Sequence, residues 1–338
     1  CSLLLNDQAV RLMITIKDVA KHARVSVTSA SYALNGTGTI SAATRKRVLD
    51  AAAELNYHPN AFARHLKNRK TRTLGVFITR FGGSFYEDIL EGIHDTVLKT
   101  DYELLVCPES RDIRKMLTHR QVDGAIIFDT KIKSDLLLRL ASENFPIVVM
   151  DRFLQADHLL PLLIDNSHGA CLAYQHLFAQ GARRIAYISG AIDSYDNTER
   201  RRAFLSEAGL NQLEVQCFDG NFTEESGYTA ALSMIAAGPL PEAVFCANDQ
   251  MAIGFIRAMR ERNIRVPEQV ALIGFDDIQL SKYICPALTT VRVSRFAWGA
   301  LAATQLINFL ENGAAFQPAR IPVELIVRES SLVPAPIQ

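Results

Sequence analysis

From residue 74 onward, short uninterrupted apolar runs alternate with stretches in which apolar positions recur every three or four residues. LGVFIT (74–79), ELLVC (103–107), GAIIF (124–128) and PIVVM (146–150) form one series of such runs. RIAYIS (184–189), EVQCF (214–218), AVFCA (243–247) and VALIGF (270–275) form a second. Between them lie amphipathic stretches such as YEDILEGIHDTVL and DQMAIGFIRAMRER. Runs of four to six apolar residues without alternation suit strands buried on both faces, and the intervening helices suit crossovers. The rhythm predicts parallel sheets, and two series predict two doubly wound α/β subdomains.

Before residue 74 the pattern is helical only. Thr15 can cap a first helix, with Ile16, Val19, Ala20 and Ala23 on its inner face and Asp18 in its first turn. Arg24 and Val25 make a tight break, and Ser26 caps a second helix running to about Asn35. Its Ala30, Ala33 and Leu34 can pack inward, while Val27, Thr28 and Tyr32 lie near its start or outer face. Asn35-Gly36 stops it, because both residues tolerate the left-handed turn. Ser41 opens a third helix, with Val48, Ala52 and Leu55 spaced along one side. Two short helices joined by a brief turn and braced by a third predict a helix-turn-helix. After Asn56-Tyr57-His58-Pro59-Asn60 comes AFARHLKNRKTRT, a two-turn helix with an apolar strip of Ala61, Ala63 and Leu66. So short a helix is marginal alone, and a twin copy or DNA would stabilise it.

Charge sets this head apart. Residues 15–72 carry 11 Lys and Arg against 3 Asp and Glu, a balance of +8, although the whole chain sums to zero. The remainder is therefore anionic by the same amount, which points to a polyanion partner for the head alone. The six cysteines form no CxxC pair or regular framework, which favours reduced thiols and a cytoplasmic location. No apolar stretch reaches the length of about 18–20 residues that a membrane span needs. Residues 1–14 read poorly as a signal peptide and are set aside as a leader or cloning remnant, with Met13 a natural start.

The head resembles that of the LacI/GalR (lactose and purine repressor) family of bacterial transcription regulators. The matching residues are TIKDVA (15–20), VSV (25–27), LNG (34–36), TRKRV (44–48) and NYHPNA (56–61), and the likeness continues to about residue 330. The resemblance implies that Val27, Thr28 and Tyr32 read bases in the major groove. It implies that Ala63 and Leu66 belong to a hinge helix whose leucine wedges into the minor groove. It also implies phosphate contacts by Arg45, Arg47, Arg64 and Lys67, which position without specifying. Two residues depart from the family. Arg24 stands where glycine is frequent, and in a left-handed turn it costs about 1 kcal/mol. Tyr32 stands where arginine is common; it lacks the two-pronged grip on guanine, so the operator sequence should differ.

In doubly wound sheets ligands lie beyond the carboxyl ends of the strands. The residues there are polar and aromatic: Arg80, Phe81, Phe85 and Tyr86 after the first run, Asp151-Arg152, Asn248-Asp249, Asp276-Asp277 and Phe222 after others. The loop SGAIDSYDNTERRRAF adds Asp193, Asp196 and three consecutive arginines. Carboxylates, amides and guanidinium groups that bind hydroxyls, beside aromatic faces, suit a carbohydrate. Asp249 could equally serve to cap the helix DQMAIGFIRAM. The family resemblance implies an effector site of Phe85, Tyr86, Arg200, Phe222, Asn248, Asp249 and Asp276, with Arg152 typical of sugar-responsive members. Ala203 departs from the usual glycine near Arg200.

The resemblance further implies a body like type I periplasmic binding proteins, crossed three times by the chain near 165, 291 and 320. The expected organisation is a helix-turn-helix domain (15–59), a hinge helix and linker (60–72), an N-terminal subdomain (73–165 and 291–320) and a C-terminal subdomain (166–290 and 321–338). The function so implied is a homodimeric repressor of operator DNA, controlled by a small molecule, a sugar first and a purine second. With no heptad tail after ESSLVPAPIQ, a dimer is favoured over a tetramer. A solute-binding protein without DNA function is the competing class, and the basic head argues against it. No GxxxxGK[ST] loop, nucleophile motif or HExxH occurs, so neither catalysis nor a metal or other cofactor is expected.

Overall fold

The computed structural model describes residues 14–58, 70–81, 84–108, 113–119 and 121–332. They belong to two compact units, Cys1–Thr71 and Arg72–Gln338. In the head, α1 (Ile16–His22), α2 (Val27–Asn35) and α3 (Ala42–Glu54) close on a core of Val19, Ala20, Ala23, Ala30, Ala33, Val48, Ala51 and Ala52. Most of these are alanines, which let three short helices approach closely around little apolar volume. Each helix begins where the sequence provides a cap. The Asp18 carboxylate accepts the Thr15 backbone N–H at 2.8 Å, and Ser26 and Ser41 hydroxyls accept the Ser29 and Thr44 amides at 3.0 and 3.2 Å. The break between α1 and α2 places Arg24 at φ 52°, the left-handed conformation expected to cost this non-glycine residue energy. The hinge segment, including Ala63, Arg64, Leu66 and Lys67, lies outside the described residues.

The body opens with a five-stranded parallel sheet in the order β2-β1-β3-β4-β5. Its strands are β1 (Thr73–Ile78), β2 (Glu103–Pro108), β3 (Gly124–Phe128), β4 (Ile147–Val149) and β5 (Leu159–Pro161). The helices interleaved with them are α4 (Ser84–Val97), α5 (Ile113–Thr118) and α6 (Ser134–Leu140). The chain then crosses through β6 (Leu163–Ile164) into a second unit of α7 (Asn166–Ala179), β7 (Ile185–Ile188), α8 (Tyr195–Leu210), β8 (Val215–Phe218) and α9 (Glu224–Ala236). It continues with β9 (Ala243–Cys246), α10 (Asp249–Glu261), β10 (Ala271–Asp276) and β11 (Thr289–Val293). Next come α11 (Arg295–Asn312), β12 (Arg320–Ile321) and β13 (Val323–Ile326). The second sheet runs β13-β11-β10-β9-β7-β8, parallel except where β13 joins β11 antiparallel.

The apolar runs became strands, with β3, β4, β7, β9 and β10 shielded on both faces. ELLVC and EVQCF became the edge strands β2 and β8, which are only partly covered because each has a neighbour on one side alone. Crossings between the sheets are tied together locally. β6 pairs with β12, and the Asp165 amide donates to the Ile321 carbonyl at 2.9 Å. After β11, and before β13 adds the last strand of the second sheet, α11 returns to pack on α4 of the first. Gly92 and Gly299 allow that contact, because a Cβ at either would overlap the carbonyl of Phe296 or Ile89. The segment IPVELIVRESS (321–331) is strand only at Ile321 of β12 and in β13. Its Ser330 and Ser331 turn inward, where Ser330 Oγ donates to the Leu272 carbonyl at 2.7 Å and Ser331 Oγ to Thr289 Oγ1 at 2.8 Å.

Candidate functional site

In the head, Val27 and Thr28 start α2 exposed, and Tyr32 follows about one turn later at 39% exposure. A helix start with free side chains is the part of a helix-turn-helix that can meet base edges. The Tyr32 ring lies across Gly38, where a Cβ would sit 2.6 Å from it, so the ring is braced rather than free to swing. Arg47 is exposed on α3 and Arg45 is half-buried.

In the body, a cleft of about 960 Å³ opens where the carboxyl ends of both sheets face one another. One wall comes from Thr79 to Phe81 after β1, Phe85 and Tyr86 on α4, Phe128 at the end of β3, and Asp151 after β4. The rings of Phe85, Tyr86 and Phe128 meet edge to face at 5.3–5.7 Å, and Phe128 meets Trp298 in the same manner at 5.3 Å. The facing wall comes from the loops after β7, β8 and β9 and from Asp276, the last residue of β10. Phe222 enters it at φ 68°, and its ring occupies the space a side chain at Gly190 would need.

Arg200 is the central cation of the cleft, at 2% exposure. Its Nε donates to Asn166 Oδ1 at 2.8 Å, its Nη1 donates to the Ala247 carbonyl, and its plane stacks 3.5 Å from the Phe275 ring centroid. Its Nη2 stands 3.7 Å from Asp276 Oδ1. That carboxylate oxygen is buried and has no hydrogen-bond partner, an acceptor awaiting a donor. Burial pushes the Asp276 carboxyl up to about 6, against the pull of Arg200 and Arg295. Burial likewise raises Asp196, whose Oδ1 accepts from Asn166 Nδ2 at 2.7 Å, and Asp151. Six carboxylates (Asp151, Asp193, Asp196, Glu224, Glu225, Asp276) line the cleft against two cations, Arg80 and Arg200.

Phe85, Tyr86, Arg200, Phe222, Asn248 and Asp276 all line this one cleft. Two residues expected there do not. Arg152 turns away, with Nε and Nη2 on the two Asp151 carboxylate oxygens at 2.9 Å and the remaining donors on the carbonyls of Ile132 and Asp129. Its charge is spent orienting Asp151, which takes the place in the cleft. Asp249 is fully buried behind the floor. It accepts from Thr290 Oγ1 at 2.6 Å, Ser281 Oγ at 2.7 Å and the Ile278 amide at 3.0 Å. Burial, with the Asp276 charge second, lifts its carboxyl to about 7. The cap of α10 is Asn248, whose Oδ1 accepts the Met251 amide at 2.9 Å while its Nδ2 donates to the Phe222 carbonyl at 3.1 Å. Sequence reasoning named Asp151 and Asp196 among the polar strand-end and loop residues without placing them in the effector set, and it passed over Phe128. The strand-end rule was the signal for Phe128, but the residue closes an apolar run and reads as core. Among the described residues no group of three His, Cys, Asp or Glu could hold a metal ion, and no helix is long and apolar enough to cross a membrane.

A basic helix-turn-helix joined to a two-lobed, cleft-forming α/β body defines the class of DNA-binding regulators whose body is a solute-binding fold. Residues 15–60 match the model for bacterial regulatory proteins of the lacI family, and residues 174–331 match a periplasmic binding protein-like domain. The HTH-type transcriptional repressor PurR of Mannheimia succiniciproducens is 34% identical over 330 residues, covering 94% of this chain and 98% of the relative. The lac repressor dimer bound to operator and the anti-inducer ONPF superposes with a TM-score of 0.80 at 26% identity, covering 95% of this chain and 99% of that one. A sugar-binding transcriptional regulator of the LacI family from Enterococcus faecalis gives 0.72 at 33% identity over 78% of this chain and 99% of that one. The chain belongs to the lacI family of bacterial regulatory proteins and is a DNA-binding repressor, in a family of regulators rather than enzymes.

Proposed function

We propose that this repressor is controlled by a purine base or nucleoside bound in the cleft. The observation that carries the reading is the 34% identity over 94% of the chain to a repressor named PurR. The sequence reading placed a sugar first and a purine second, and the relatives reverse that order. Cleft chemistry supports the reversal. Aromatic rings stand on both walls, Phe85 and Phe128 on one and Phe222 on the other, and a flat heterocycle can lie against them. Asp276 Oδ1 offers an unfilled acceptor to a ring N–H or exocyclic amine.

A sugar remains the second reading, because a carboxylate-rich cleft also suits hydroxyls and the Enterococcus faecalis neighbour is described as sugar-binding. In either case the effector acts by its difference in affinity between two arrangements of the body. Val27, Thr28 and Tyr32 read the operator bases, Arg45, Arg47, Arg64 and Lys67 grip phosphates, and Ala63 and Leu66 form the minor-groove hinge of a homodimer. The discriminating experiment is a thermal shift of the full chain with guanine, adenosine, D-ribose and ribose 5-phosphate. A ligand at about 100-fold its Kd adds about 2.7 kcal/mol to the folded state. A shift with guanine or adenosine supports the purine reading; a shift with ribose alone replaces it with the sugar reading.

A further inference from the structure

Asp276 does not face the cleft unaided. It sits at φ 109° and Asp277 follows at φ 50°, two consecutive non-glycine residues in the region that side chains rarely adopt. Such a conformation persists only where its surroundings impose it. The reversal is held from several directions. Asp249 takes the Ile278 amide and the Ser281 hydroxyl. The Asp277 carboxylate is drawn the other way by Arg292 and Arg328, at 2.7 and 2.6 Å. The third clamp is Arg295, whose Nη1 donates to the Asp276 carbonyl and whose Nη2 donates to the Asp277 carbonyl at 3.4 Å.

Arg295 also reaches across to the other half of the body. Its Nε and Nη2 both donate to Asp88 Oδ2, at 3.0 and 2.7 Å. Asp88 lies on α4, two residues beyond Tyr86 and three beyond Phe85, so it shares a helix with the aromatic wall of the cleft. One guanidinium at 5% exposure thus touches the backbone beneath the ligand-facing carboxylate and the helix that carries the opposing rings. We propose that Arg295 is a positioning residue for the effector site, holding Asp276 toward the ligand and, through Asp88, fixing that carboxylate relative to Phe85 and Tyr86. This rests on the reading of the cleft as the effector site. The planar fork suits the task, because it can donate to two carbonyls and a carboxylate at once. A lysine has one nitrogen to share among the same partners.

The test uses the full chain as wild type, Asp88→Asn, Arg295→Lys, Arg295→Met and the double variant Asp88→Asn/Arg295→Met. Asp88 is the gentle site, because its side chain is 44% exposed and water can replace the lost partner. The sole tryptophan, Trp298, is buried one turn after Arg295 and meets Phe128 of the cleft edge to face, so its emission reports on both the ligand and the link made by Arg295. Each chain is titrated with guanine and with D-ribose, and ligand-free Trp298 is quenched with acrylamide. The expected result is a loss of affinity of about tenfold in Asp88→Asn and a larger one in Arg295→Met, which also gives up the Asp276 and Asp277 carbonyls. The double variant loses nothing beyond Arg295→Met, because the link to Asp88 is cut only once. Arg295→Lys recovers part of the affinity, and quenching rises wherever the link is broken. A merely structural ion pair would lower the melting temperature while leaving affinity and quenching at wild-type values, and that pattern overturns the proposal. Should the wild type bind neither ligand, the effector reading is what fails, and quenching then decides alone: raised in Asp88→Asn upholds the link, unchanged rejects it.

Discussion

A carboxylate buried without a donor is costly, and Asp276 Oδ1 is the residue at which the cleft declares what it needs. Replacing it with asparagine keeps the shape but presents an amide that can direct a donor where the ligand also has one. Asp276→Asn should weaken effector binding at least about tenfold while operator affinity without effector stays at wild type. Isothermal titration and gel retardation on the same preparation separate the two. Behind it, Asp249 makes a second measurable contribution. Its carboxyl stands at about 7 in the folded chain and that of Asp276 at about 6, both above the ordinary 3.8. Between about pH 4 and 7 the folded form therefore holds protons that the unfolded form has released, and stability falls as pH rises through that window. Melting temperature should decline from pH 5 to pH 8, and Asp249→Asn should flatten the decline. An unchanged slope in the variant would place the proton elsewhere.

At the scale of elements, the contact between α4 and α11 offers a direct test of packing. Gly92 faces the Phe296 carbonyl with no room for a methyl group, so Gly92→Val must push the helices apart. A destabilisation of about 3 kcal/mol is expected from such overpacking, read as a lowered midpoint in urea. The elements themselves were largely written in the sequence. Apolar runs such as GAIIF and AVFCA could only be strands covered on both faces, and Thr15, Ser26 and Ser41 announced the three head helices. What escaped was short or ambiguous by nature. β5 and β6 are three and two residues long, too brief for any periodicity, and β11 mixes Thr, Val and Arg as an exposed turn might. In the site, Arg152 and Asp249 have the residue types of ligand contacts. Arg152 folds back on its neighbour Asp151 because carbonyls about 20 residues away, such as that of Ile132, take its remaining donors. Asp249 is held by Thr290, 41 residues on, and such distant partners no local pattern reveals.

At the scale of the whole molecule, control of DNA by the cleft has to pass through the segment joining head and body. The sequence there predicts only a two-turn helix, which would have little stability of its own. Leu66→Ala should weaken operator binding and reduce the bend of the bound DNA while effector affinity is unchanged, as circular-permutation gels and titration would report. An unaltered bend would remove Leu66 from the hinge. The return of α11 to α4 bears on a different stage in the life of the chain. Synthesis delivers the five strands of the first sheet by Pro161, yet the helix that covers α4 spans Arg295–Asn312 and leaves the ribosome only after almost the whole second sheet has been made. Throughout that interval the nascent first lobe presents an apolar helix face with its partner still unmade, and a ribosome that stalls or a message that is cut short there releases a sticky half-protein rather than a finished lobe. The threading that lets one chain sense a ligand from both sides therefore ties the folding of its first half to the translation of its last quarter.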